Sequence, residues 1–227
     1  MEKFLPNIEK YWPDEFILAI FETIQMTVVT MIIASIFGLT LGVILLLTDK
    51  EGLTPNRFIY TILDKIVDIG RATPFIILLV AIMPFTRLIV QTSIGTAAVT
   101  VPIVVGTIPF YARMVQNSLM EVDEGIVEAA RAMGTGTLEI IFRVYLREGR
   151  ISILRATNFT TISVIGLTAM AGVVGGGGLG NMAVQYGYAR GATDVTLVSL
   201  ILILIFVFIT QIIGNLAIHI LLRGRKA

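Results

Sequence analysis

Long runs without a charged residue constrain this chain more than any other feature of its sequence. Five such runs cover residues 23–48, 72–86, 88–112, 156–189 and 195–222. A helix needs about 20 mostly apolar residues to cross ~30 Å of hydrocarbon, because its backbone N–H and C=O groups must bond within the helix. Hydrophobic residues make up 56% of the chain and charged residues only 15%, a balance that soluble domains do not show. The sequence therefore predicts an all-α transmembrane protein.

Two of the five runs differ in length from a single span. The second run is short, so we expect its helix to start near Phe58 and to carry several charged residues in its first turns, with an exit near Pro84. The fourth run is long, so we expect a helix over 156–174, followed by an external re-entrant or surface loop over the glycine-rich residues 175–191. With these adjustments the sequence predicts five membrane-spanning helices.

The distribution of basic residues predicts the orientation of these spans. Thirteen of the seventeen Lys and Arg residues lie in the loops after the first and third spans or at the C-terminus, and the other four are Lys3, Lys10, Arg87 and Arg190. Because basic residues concentrate on the cytoplasmic side of a membrane protein, we expect the N-terminus outside and the C-terminus in the cytoplasm.

Several classes of protein are excluded by what the sequence lacks. The chain has no Cys and one His, which excludes a disulfide framework, a Cys-ligated zinc site and a thiol nucleophile. Its net charge of +1 argues against a nucleic-acid partner. No G-x-x-x-x-G-K-[ST] loop is present, so we expect no ATP site, no catalytic residue and no cofactor in this chain. The simplest interpretation is one membrane domain over 1–227, with a core of about 20–217.

The longest predicted cytoplasmic stretch, about residues 114–155, has a helical pattern. Asp123 and Glu124 favour a helix start through the helix dipole, and the face Ile126, Ala129, Ala130 and Met133 follows at helical spacing. Gly134 comes where a left-handed C-cap favours glycine. After a turn over 135–137, residues 138–146 begin a second helical piece. We expect a short amphipathic helix on the cytoplasmic face.

Within this helix, Glu128-Ala129-Ala130 followed after three residues by Gly134 resembles the EAA motif of permease subunits in ABC importers. Stretches elsewhere resemble the methionine-importer permease family: 71–80, 84–87, 92–95, 109–115 and 177–180. The resemblance extends from about residue 22 to residue 217. It departs at Arg147, where the family often has an Ile-x-Leu-Pro pattern, so we expect a longer helix at the exit of the segment.

The resemblance implies a function and a set of partners. It implies that Glu128, Ala129, Ala130, Arg131 and Gly134 form a coupling helix that docks on an ATP-binding subunit. Two permease copies would pair in the cytoplasmic (inner) membrane of a prokaryote and bind two ATP-binding subunits, which hold ATP and Mg. An extracytoplasmic binding protein would deliver the solute, with D- or L-methionine as the expected substrate.

Polar and small residues within the spans give further predictions. Asn158, Thr161 and Thr168 share one stripe of the fourth span, where they either form interhelical hydrogen bonds or line a solute path. Gly38 and Gly42 have the small-xxx-small spacing of closely packed helices.

Three alternatives stay open on the sequence alone. The solute is another amino acid or small molecule, or the chain is a gradient-driven carrier, or it is a membrane scaffold or intramembrane enzyme. The carrier needs an ionisable relay inside the membrane, and the spans contain almost no such groups.

Overall fold

The computed structural model describes residues 7–223, and all regular structure in this range is helical, with no β-strand. The α-helices are α1 (Ile8–Tyr11), α2 (Asp14–Thr48), α3 (Arg57–Ala72), α4 (Phe75–Ala81), α5 (Met83–Val90), α6 (Thr96–Met120), α7 (Glu124–Ala132), α8 (Thr137–Ile140), α9 (Leu146–Glu148), α10 (Arg150–Gly172), α11 (Gly178–Asn181) and α12 (Thr193–Arg223). Two π-helical turns, Ile141–Tyr145 and Met182–Gly187, and a 3₁₀ turn, Tyr188–Arg190, complete the described elements. Of the residues that predicted the orientation, Lys3, Arg225 and Lys226 lie outside the described range.

Four of the described helices are long and apolar enough to cross a membrane: α2, α6, α10 and α12. The predicted second span is not one continuous helix from Phe58. The chain breaks before Pro74 and again at Ile82, two residues before Pro84. Proline disfavours a helical residue before it, which explains the break at Thr73, and it has no N–H, so Pro84 cannot continue the hydrogen bonds of α4. With 7 and 8 residues, α4 and α5 together cover about 22 Å at 1.5 Å per residue, less than one full span.

The third and fourth predicted spans also differ from the structure at their ends. The third helix begins at Thr96 rather than Leu88, since α5 continues to Val90 and a turn follows with Gln91 at φ 58°. The fourth helix ends at Gly172, close to the predicted end. The predicted loop over 175–191 is wrong for most of its length, because residues 178–190 are helical and only the glycine-rich turn before them is irregular.

The chain divides into two compact units. Within the described range, unit 1 comprises residues 7–33, 73–107 and 161–211, and unit 2 comprises 34–72, 108–160 and 212–223. Unit 1 has two apolar clusters. One contains Phe16, Leu179 and Val195, and the other contains Met26 and Ile103.

Unit 2 holds together through close helix contacts and a charged cluster. A Cβ on Gly42 would lie 2.6 Å from the Ala112 carbonyl oxygen, so the glycine lets α2 and α6 approach, as the spacing of Gly38 and Gly42 predicts. Arg113 of α6 pairs with two carboxylates of α3, at 2.5 Å to Asp64 and 3.0 Å to Asp68. Asp68 also pairs with Arg71 of the same helix, at 3.7 Å.

Candidate functional site

The segment between α6 and α10 lies in unit 2 and begins with a capped helix. Asp123 is the N-cap of α7, and its Oδ1 accepts hydrogen bonds from the backbone N–H groups of Gly125 (2.8 Å) and Ile126 (3.3 Å). An N-cap carboxylate satisfies N–H groups that have no partner within the helix and interacts favourably with the helix dipole. The predicted start of the helix at Asp123 and Glu124 is therefore confirmed.

Gly134 ends α7 in the predicted left-handed conformation, with φ 77°. Its N–H donates to the Arg131 carbonyl (2.9 Å), and the N–H of Thr135 donates to the Ala130 carbonyl (3.1 Å). This pair of bonds is the Schellman motif, which satisfies the last carbonyls of a helix. The spacing of Ala130 and Gly134 in the EAA-like motif thus corresponds to one helix end with a fixed exit direction.

The apolar face predicted for α7 is divided in the structure between a buried and an exposed stripe. Val127 and Ala130 are buried, and they pack in a cluster with Leu119, Ile140 and Tyr145. Ile126 and Met133 were predicted on the apolar face, but their side chains are 45% and 77% exposed. The helix therefore has two apolar stripes. Val127 and Ala130 form the stripe that anchors the helix, while Ile126, Ala129 and Met133 form a stripe on the surface.

The charged residues of the motif lie at the exposed side of α7. Glu128 and Arg131 are exposed, and the Arg131 Nη2 donates to the Gly52 carbonyl at 3.1 Å. Arg131 therefore ties α7 to the turn after α2. Both charged side chains border a cavity of about 370 Å³, which Tyr145 also lines. Burial raises the pKa of the Tyr145 hydroxyl, and the charge of Arg131 partly opposes this shift.

The second helical piece is present but is not a regular α-helix. It consists of α8, the π-helical turn and α9, and α10 follows directly after Gly149. Arg147 lies in α9, in agreement with the expected helical exit from the segment. Leu138 and Phe142 of this piece are 72% and 67% exposed, so it also presents apolar side chains at the surface.

The three polar residues of α10 belong to different units. Asn158 belongs to unit 2, where its side chain lies against Gly214 of α12. Thr168 belongs to unit 1 and is buried, and its hydroxyl donates to the Ile165 carbonyl of its own helix at 2.8 Å. Thr161 is half-buried. Asn158 and Thr168 thus make packing contacts within the chain. That the three residues line a solute path stays a prediction.

Four candidate spans and a capped surface helix define a helical membrane protein. Residues 38–225 match the family described as binding-protein-dependent transport system inner membrane component. The chain belongs to this family.

Relatives of known name match nearly the full length of the chain. A Vibrio cholerae protein called probable D-methionine transport system permease protein MetI is 42% identical over 202 residues, 89% of this chain and 90% of that protein. The Bacillus subtilis methionine import system permease protein MetP is 41% identical over 220 residues, 97% of this chain and 98% of that protein. A solved chain of the MetNI methionine ABC transporter, in an inward-facing conformation, has 40% identity and a TM-score of 0.88, with 90% of this chain and 95% of that chain covered.

Proposed function

We propose that this chain is the permease subunit of an ABC importer that carries methionine, as the D-isomer, the L-isomer or both, across the cytoplasmic membrane. The surface of α7 supports the role as a permease subunit, and the similarity to relatives named for methionine transport supports the substrate. The buried residues Val127 and Ala130 fix α7 to unit 2, while Ile126, Ala129 and Met133 present an apolar stripe with Glu128 and Arg131 beside it. A surface of this kind suits a groove in a partner protein.

The partner that fits this surface is an ATP-binding subunit. In the proposed assembly two copies of the chain surround a central path, and each presents α7 to one of two ATP-binding subunits, which hold ATP and Mg. The family description names a binding protein, and an extracytoplasmic one would deliver the solute. When the ATP-binding subunits close, they would draw the two α7 helices together and open the path to the outside. The chain itself contributes no catalytic group.

The proposed topology has five crossings in a single membrane domain, with the N-terminus outside and the C-terminus in the cytoplasm. The four long helices supply four crossings, and the broken pair α4 and α5 would supply the fifth. The positions of Lys and Arg in the sequence support this orientation. In this arrangement Asn158, Thr161 and Thr168 would lie along the solute path.

Reconstitution tests the proposal directly. The chain, its ATP-binding subunit and its binding protein are placed in proteoliposomes, and uptake of labelled D- and L-methionine is measured with and without ATP. We expect uptake that requires ATP and all three proteins, and competition by other amino acids defines the specificity. Uptake by this chain alone, driven by an ion gradient, would contradict the proposal and support a secondary carrier.

A further inference from the structure

Glu22 is a charged residue in the third turn of α2, one of the candidate spans, and its carboxylate has specific partners in unit 1. Its Oε1 accepts from the hydroxyl of Thr96, the first residue of α6, at 2.9 Å. Its Oε2 accepts from the backbone N–H of Gly178 at 2.6 Å. Glu22 directly precedes the charge-free run over 23–48, and its carboxylate joins α2 to the start of α6 and to the start of a later helical segment.

The contact with Gly178 belongs to a cap that one helix provides for another. Residues 178–190 form a helical segment, and its first N–H groups have no carbonyl partner within the segment. Gly177, at its N-cap, has no side chain to supply one. Glu22 accepts from Gly178, and the Thr23 hydroxyl accepts from the N–H of Leu179 at 2.9 Å. Two consecutive residues of α2 therefore cap a segment that follows more than 150 residues later.

The turn before this segment has a backbone that favours glycine. Gly175, Gly177 and Gly178 all have positive φ, at 79°, 78° and 71°. Only glycine adopts this region readily, so the turn holds a conformation that other residues would resist. A Cβ on Gly177 would lie 2.6 Å from the Glu22 Oε2, which shows how closely the carboxylate approaches the turn. A Cβ on Gly180 would lie 2.3 Å from the Ala169 carbonyl oxygen, so the segment packs closely on the end of α10 and has a polar connection to α2.

We propose that Glu22 is a positioning residue for transport. It ties the helical segment 178–190 and the start of α6 to α2, so that the tied segment follows α2 during the transport cycle. This inference rests on the proposed function in one respect, because it assumes that an ATP-driven cycle moves α2. Docking on the ATP-binding subunit does not require this contact of Glu22.

The first test measures how much solute is moved for each ATP hydrolysed by the reconstituted complex. Glu22→Gln removes the charge and leaves one acceptor oxygen for two donors, so we expect this ratio to fall about tenfold or more. Thr96→Val, which removes one donor, should lower the ratio less, and Thr96→Ser should restore it. Glu15→Gln removes a charge from the same helix two turns earlier and should keep the wild-type ratio.

A purely structural role predicts a different result from the same variants. Loss of folded complex would lower uptake and ATP hydrolysis in parallel, so the ratio would stay at the wild-type value. A wild-type ratio in Glu22→Gln therefore overturns the proposal. If Glu22→Gln yields no complex, Thr96→Val and Thr96→Ser decide. A lower ratio of solute to ATP in Thr96→Val than in Thr96→Ser supports the proposal, and equal ratios in the two variants overturn it.

The second test does not depend on the identity of the solute. The chain has no Cys, so Tyr188→Cys, at a position 81% exposed in the segment, gives it a single thiol. We expect the thiol labelling rate in the complex to change severalfold between the ATP-free and vanadate-trapped states, and Glu22→Gln to abolish this change. The same change in both backgrounds would overturn the proposal. A wild-type complex that fails to import methionine would count against the proposed substrate only, since this labelling test would still decide on Glu22.

Discussion

The substitution Gly134→Ala tests whether α7 needs a left-handed backbone conformation at its C-terminal end. Gly134 and Gly136 are both exposed, and a Cβ added at either meets no atom within 4 Å. They differ in conformation, because Gly134 has φ 77° and Gly136 has φ −68°. Alanine at Gly134 therefore adds strain without a steric clash, and alanine at Gly136 adds neither.

The expected cost follows from this difference. An L-residue in the left-handed region costs about 1–2 kcal/mol. At Gly136 the same change should be neutral or stabilising by about 0.4–1 kcal/mol, since alanine restricts the unfolded chain. The strain weakens the two hydrogen bonds of the Schellman motif, from Gly134 to Arg131 and from Thr135 to Ala130. A loss of 1–2 kcal/mol raises the population in which this helix end is open by roughly 5–30-fold.

Hydrogen exchange of the Thr135 amide in the assembled complex measures this population. We expect faster exchange in Gly134→Ala by that factor, a lower rate of ATP-dependent uptake, and wild-type behaviour in Gly136→Ala. Gly134→Asn should fall between them, because asparagine tolerates the left-handed conformation better than alanine. Equal exchange in the two alanine variants would refute the assignment of the strain to Gly134.

Two further predictions concern the anchoring of α7 and the charged cluster of unit 2. Ala130→Trp overfills a site that is 6% exposed and should lower the free energy of unfolding by about 1–3 kcal/mol. Ala129→Trp lies on the exposed stripe, so it should leave thermal stability unchanged. The same variant should abolish co-purification of the ATP-binding subunit. Co-purification that survives Ala129→Trp would count against docking through this stripe. Arg113→Gln leaves the Asp64 carboxylate without its cation and should cost about 1–3 kcal/mol, less than for a fully buried pair because both side chains are partly exposed. Thermal unfolding of Arg113→Gln, Asp64→Asn and the double variant checks this, since strictly additive effects would show that the two residues do not interact.

Patterns that extend over many residues predicted most of the fold. Charge-free runs indicated an all-helical membrane protein because every backbone polar group in hydrocarbon needs a partner in its own helix. The same runs predicted one continuous helix from Phe58, which is wrong. Pro74 and Pro84 act on the backbone locally, and a count of apolar residues does not register them. The glycine-rich residues were predicted as a loop, yet the helix that starts at Gly178 is capped by Glu22 and Thr23, which only the folded chain brings near.

The candidate site shows the same division between local and tertiary information. Asp123 and Gly134 were predicted correctly as the ends of α7, because caps depend on a few neighbouring residues. The apolar face was predicted over Ile126, Ala129, Ala130 and Met133, and the buried stripe through Val127 was not recognised. Both stripes have helical spacing, and only the packing against Ile140 selects one of them. Arg113 was likewise missed as the partner of the α3 carboxylates, since the two are far apart in sequence.

The lengths of α2 and α12 have a consequence for the lipid that surrounds the protein. With 35 and 31 residues they extend about 52 Å and 46 Å, well beyond ~30 Å of hydrocarbon. Each helix must therefore tilt, or carry its ends past the head groups. In α12 only 11% of the most apolar window is buried within the chain, so most of its surface is available to acyl chains or to a second protein. Bilayers of longer-chain lipids should reduce the tilt of both helices.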